Sequence, residues 1–171
     1  MKDDSTLEDV CAAPATHRSA IGKRIALLLM LAVVAAAATG WLGVKAQTAR
    51  ASVSGYDLTL TYPRVARSGL DIPWELRLHH AGGFAGKIVV AVSADYFDIF
   101  EFQGMHPSPS DETATGKFVY LTFSPPAGDT FTVSLDTYVQ PASQVGRHAV
   151  VAVTVDGQRA GRISYATWLI P

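Results

Sequence analysis

The chain has 171 residues, is 49% hydrophobic, and is close to neutral, with 14 Lys and Arg against 15 Asp and Glu. The charges are scattered and form no basic stripe, which argues against a nucleic-acid partner. The single cysteine, Cys11, excludes an intramolecular disulfide, and the lack of asparagine removes any N-glycosylation acceptor.

Residues 1–24 are polar, charge-balanced and without periodicity, and read as a disordered cytoplasmic tail. Residues 25–44 carry no charge and run from Ile25 through an Ala-rich stretch to Val44. As a helix, this run would span about 30 Å, the thickness of a bilayer's hydrocarbon core. Arg18, Lys23 and Arg24 on one side outnumber Lys45 and Arg50 on the other. That bias favours a cytoplasmic tail and an extracytoplasmic C-terminal region, with Trp41 at the outer interface. A cleaved signal peptide is the competing assignment, because small residues permit cleavage after Ala46 or Ala51. The apolar run is longer than an ordinary signal h-region, which favours a retained signal-anchor. Ala36 and Gly40 have the spacing that packs paired membrane helices. Residues 45–51 read as a short linker.

Residues 52–171 read as strands. Tyr56–Tyr62 alternates apolar with polar residues until Pro63, and Ile72–His79 alternates in the same way. Lys87–Ser93 is a continuous β-branched run, followed by Lys117–Phe123, Thr130–Val139, His148–Val155 and Arg162–Ile170. Asp156-Gly157 between the last two is a hairpin signal, since a tight reverse turn needs positive φ. About seven short strands separated by Gly- and Pro-containing breakers predict an antiparallel sandwich, with an open barrel as the alternative.

The stretch Arg67-Ser-Gly69-Leu-Asp-Ile-Pro-Trp-Glu-Leu-Arg-Leu-His-His-Ala-Gly-Gly83 and the final hairpin resemble the Ig-like sandwich modules of bacterial cell-envelope proteins. The Ala-rich composition and the carboxy-terminal region also resemble membrane-anchored proteins of actinobacteria. The resemblance implies an all-β, Ig-like β-sandwich ectodomain behind one transmembrane helix. It implies a location and no mechanism. The chain departs from true immunoglobulin domains in lacking their Cys…Trp…Cys set.

Familiar catalytic signatures are missing. Gly83-Phe-Ala-Gly86-Lys87 resembles a phosphate loop but has Ala81 and Ile88 where Gly and Ser or Thr are needed. His79 and His80 are neighbours on a strand, so they point to opposite faces and do not share a metal. Asp95, Asp98, Glu101, Asp111 and Glu112 are oxygen donors of the kind calcium takes, or solvated loop acids. The aromatics Tyr96, Phe97, Phe100 and Phe102 read first as a strand crossing between sheets and second as a partner contact, to which Trp168 belongs as well. Trp74 reads as core.

These features predict an anchored interaction module with no catalytic residues, no cofactor and no metal. Its expected partners are the lipid bilayer, through residues 25–44, and another membrane or envelope protein. The alternative is a hydrolase or carbohydrate-active domain with a site drawn from Asp95, Asp98, Glu101 and His106.

Overall fold

The computed structural model describes residues 17–40 and 43–170. Cys11, Trp41 and the tail up to residue 16 lie outside the described residues, together with the roles read for them. The chain divides into two units, residues 1–42 and 43–171.

Among the described residues, the first unit holds one helix, α1 (His17–Ala38). It begins inside the expected tail, because the stretch before Ile25 contains good helix formers and no proline. It also stops well before Val44. The Thr39 Oγ1 hydroxyl donates to the Ala36 carbonyl at 3.0 Å, and the Gly40 N–H donates to the Ala37 carbonyl at 3.0 Å. Gly40 then turns the chain at φ +70°, a left-handed helix stop that glycine tolerates. Ala36 and Gly40 therefore do not share one helical face. Ala20–Ala38 is long and apolar enough to cross a membrane and is not buried within the protein. A membrane anchor and a signal sequence both meet that description.

The second unit contains, among the described residues, ten strands and one short helical turn. The strands are β1 (Lys45–Val53), β2 (Tyr56–Arg67), β3 (Trp74–His80), β4 (Ile88–Ser93), β5 (Phe100–His106), β6 (Asp111–Ala114), β7 (Phe118–Phe123), β8 (Thr130–Val139), β9 (Arg147–Val155) and β10 (Gln158–Ile170). The helical turn α2 (Ala94–Phe97) follows β4. One sheet runs β1-β2-β3-β8-β5 and the other β10-β9-β4-β7-β6. With β2, β3, β4, β5, β8, β9 and β10 taken as strands A to G, the sheets are ABED and CFG. That is the connectivity of an immunoglobulin-type sandwich. The β6–β7 hairpin is inserted after strand D and extends the second sheet beyond β4.

The sandwich is antiparallel except where β2 changes partners. Residues 56–61 of β2 pair with β3, and residues 65–67 run parallel to Trp168–Ile170 of β10. Pro63 lies between the two segments, so it marks the crossing and does not end the strand as its place in the sequence suggests. The core follows from strand alternation. Leu60 faces Leu76 and Leu76 faces Val133 in one sheet. Val90 faces Val153 and Leu121 in the other. All of these side chains are buried in one apolar cluster.

Lys45–Ala51, expected as a linker, lies in β1, which pairs along nearly all of β2. A two-residue turn makes this possible: Ser54 and Gly55 hold φ of 52° and 82°. The predicted Asp156-Gly157 hairpin forms by the same device, at 48° and 76°. Just after this turn, β10 carries a bulge between Arg159 and Gly161.

Candidate functional site

The two sides of the sandwich differ. On one side the β2–β10 pairing joins the sheets, and a chain of buried polar groups reinforces the join. Thr167 Oγ1 donates to the Pro63 carbonyl at 2.6 Å and is 2.9 Å from the Tyr96 hydroxyl. Trp74 Nε1 donates to the Tyr165 hydroxyl at 3.2 Å. Burial is the main cause that raises the Tyr96 and Tyr165 phenols well above their ordinary value. The short hydrogen bond at Pro63 serves a carbonyl at the crossing of β2 between its two strand partners.

On the other side, between β5 and the β6–β7 hairpin, the sheets part. A groove of about 300 Å3 opens there, lined by Phe97, Phe102, Met105, Glu112, Val119 and Leu121. Its apolar walls are inward-facing side chains of both sheets. Phe102 shares the inward face of β5 with Phe100, yet Phe100 is buried and Phe102 is 52% exposed. A register shift between Phe102 and Gly104 inserts one extra residue. This bulge resets the alternation, so that Met105 also turns inward. No Lys or Arg occurs between residues 88 and 116, whereas Asp98, Glu101, Asp111 and Glu112 all lie in or beside the elements forming the groove. The neighbouring Tyr138 phenol is raised chiefly by its hydrogen bond to Glu101.

The structure separates the five aromatic residues read as partner contacts. Tyr96 and Phe100 are core, packed edge-to-face with ring centroids 4.9 Å apart, and are not available to a partner. The α2 turn is what carries Tyr96 inward. Phe97 and Phe102 line the groove. Trp168 is 61% exposed and stands elsewhere, beside Val145. Met105, Val119 and Leu121 complete the groove without standing out in the sequence, together with Glu112, one of the acids read as oxygen donors. The pattern Phe100-x-Phe102-x-x-Met105 is a signal for Met105 alone, since the bulge after Phe102 is what keeps all three on one face.

The acids do not converge. Asp95 lines an open polar concavity of about 450 Å3 with Arg64, Ser93 and His148. Glu101 and His106 lie on β5, opposite Tyr138 and Ser134. The Ser93 hydroxyl oxygen accepts from the Val150 N–H at 2.9 Å, and Arg64 donates to Gln47 at 3.0 Å. Among the described residues, no group of three or more His, Cys, Asp or Glu is placed to hold a metal. His79 and His80 diverge as expected. His79 lies 3.3 Å from the Thr130 hydroxyl, whereas His80 is bonded to the Gly83 carbonyl at 2.7 Å and stacks on Tyr56.

No protein-family model and no curated protein matches the chain. The solved structures similar to the chain include two at low identity. One is the alkylpurine DNA glycosylase AlkC of Pseudomonas fluorescens bound to DNA with an abasic-site analogue. It is 17% identical, with a TM-score of 0.32, over 74% of this chain and 31% of that one, so this chain spans under a third of it. The other is ACE19, the collagen-binding subdomain of the Enterococcus faecalis surface protein ACE. It is 12% identical, with a TM-score of 0.33, over 64% of this chain and 96% of that one. The assignment of an Ig-like fold rests on strand order and register.

Proposed function

We propose that this chain is a membrane-anchored, extracytoplasmic Ig-like module that acts by binding and not by catalysis. In this arrangement α1 is retained in the bilayer, its N-terminus is cytoplasmic, and the sandwich holds a segment of another membrane or envelope protein. The observation that supports binding is the groove at the open seam. It leaves side chains of core character, Phe102 foremost, in contact with solvent. Glu112 on its wall favours an apolar segment flanked by Lys or Arg.

Retention of the anchor is supported by β1. Cleavage after Ala51 would remove seven of its nine residues, Lys45–Ala51, and unpair most of that edge of β2. Cleavage after Ala46 would spare all but its first two residues, so it is the alternative that needs testing.

The test is photocrosslinking in the cells that produce the protein. A photoreactive phenylalanine analogue replaces Phe102, or Tyr120 on the outer face of β7 as control. The expected result is an adduct from position 102 alone, lost in Glu112→Lys, whose crosslinked peptide is apolar with a basic flank. Equal adducts from both positions, or none, would overturn the groove assignment. N-terminal sequencing of the membrane-bound protein tests the anchor separately, and a chain starting at Gln47 would overturn it.

A further inference from the structure

Among the described residues, five large apolar side chains are exposed in the β unit: Leu70, Phe102, Tyr120, Val145 and Trp168. Phe102 belongs to the groove and Tyr120 to the outer face of β7. The other three gather at one end of the sandwich. Val145 (67% exposed) and Trp168 (61% exposed) flank one shallow cleft of about 250 Å3 with Arg147 and Leu169. Gly146 permits this pairing, since a Cβ there would collide with the Thr167 carbonyl. Leu70 lies on the turn after β2. The preceding Ser68 hydroxyl donates to the Ser143 carbonyl at 3.0 Å, tying that turn to the loop that carries Val145.

The same end receives the chain from α1, and β1 is the reason. Strand β2 starts at the far end, where Tyr56 pairs with His80, the last residue of β3, and stacks on its ring. Without β1 the connection from α1 would meet the sandwich there. β1 runs antiparallel to β2 for about 30 Å and brings the start of the domain back. Its first residue, Lys45, is opposite Val65, which is itself opposite Trp168. Thr39–Val44, the six residues between α1 and β1, reach at most about 25 Å however they run. Arg67 and Arg147 stand on the neighbouring strand ends, in register with Ile170 and Thr167. Asp71, Asp95 and Asp98 share this end, so it is mixed in charge and not strongly basic.

We infer that this end of the sandwich rests on the bilayer to which the chain is tethered. Trp168, Val145 and Leu70 enter the interfacial layer, and Arg147 meets lipid phosphates. Trp suits that layer because its ring is apolar and its N–H can still reach water or a headgroup. The tether supplies a high local concentration of membrane, so a small patch is sufficient. This inference rests on the anchored reading of α1. A bilayer-facing base also fixes which way the groove at the open seam is presented.

The experiment uses the full chain with Cys11→Ser, in nanodiscs of phosphatidylcholine and phosphatidylglycerol. An environment-sensitive fluorophore is attached at Val145→Cys, or at Arg159→Cys at the far end. A fraction of the lipid carries a nitroxide on its headgroup. The expected result is loss of most emission from the probe at 145 and little from the probe at 159. Adding Trp168→Glu should restore the emission at 145 while the protein still floats with vesicles after an alkaline wash. Equal quenching at the two positions in protein that floats would overturn the membrane contact and leave the anchor standing. A chain that does not float would overturn both.

Discussion

The two seams of this sandwich are built from the same kinds of strand and behave as opposites. At the β2–β10 seam the sheets share a parallel pairing, β1 lies along β2, and hydroxyl groups of Thr167, Tyr96 and Tyr165 occupy the polar positions the crossing creates. At the β5/β6–β7 seam no strand among the described residues bridges the sheets, and a bulge leaves Phe102 half uncovered. The closed seam holds the domain together without a disulfide. At the open seam, apolar side chains, Phe102 foremost, stay in contact with solvent.

The strongest challenge to this contrast is to truncate one apolar residue beside the closed seam. Leu60 is fully buried, between β1 and β3 on the strand that changes sheets. Leu60→Ala should destabilise the domain by about 2–5 kcal/mol, the range for a cavity in a close-packed core. Urea denaturation followed by the fluorescence of buried Trp74 would measure it. A loss well under that range would mean that the closed seam is loosely packed.

The closed seam also shows what can and cannot be read from the sequence. Alternation reveals the inner strands because buried and solvent-facing residues differ in polarity: Leu58, Leu60, Leu76 and Leu78 form a visible pattern in the sequence itself. β1 is hidden because its inward residues, Ala49 and Ala51, are small and its outward ones polar, so its contrast is weak. Its turn, Ser54-Gly55, has the same backbone geometry as Asp156-Gly157 but is not flanked by two evident apolar runs. Pro63 reads as a stop because proline has no ladder donor. It lies instead where the strand is changing partners. The groove is only half legible. Phe97 and Phe102 stand out as aromatics, whereas Val119 and Leu121 are ordinary strand residues. Their role depends on which sheet edge faces β5, and that is a property of the whole topology.

A middle-sized effect should come from the polar part of the closed seam. Thr167 is buried and serves both the Pro63 carbonyl and the Tyr96 hydroxyl. Thr167→Val keeps the shape and leaves both groups without that partner, which should cost about 1–3 kcal/mol. Thr167→Ser retains the hydroxyl and should recover most of the loss. Failure of Ser to recover it would mean that the methyl group and not the hydrogen bonds matters at the crossing. Chemical denaturation of the three proteins side by side distinguishes these outcomes.

The smallest effect on stability belongs to the open seam, and it is the one that best tells the two seams apart. Phe102 already exposes about half of its surface, so Phe102→Ser forfeits only part of the usual benefit of burying an aromatic ring. The expected change in unfolding free energy is within about 1 kcal/mol, on the scale of burying a single methylene group. Crosslinking from a photoreactive residue placed instead at Val119, on the opposite wall of the groove, should nevertheless fall sharply in this variant. The contrast follows from what the ring contacts. A residue whose partner is the rest of the core loses folding energy when removed, whereas one whose partner is another protein loses only complex. Should Phe102→Ser destabilise the domain as much as Leu60→Ala, the seam would be closed in solution and the groove would not be a binding surface.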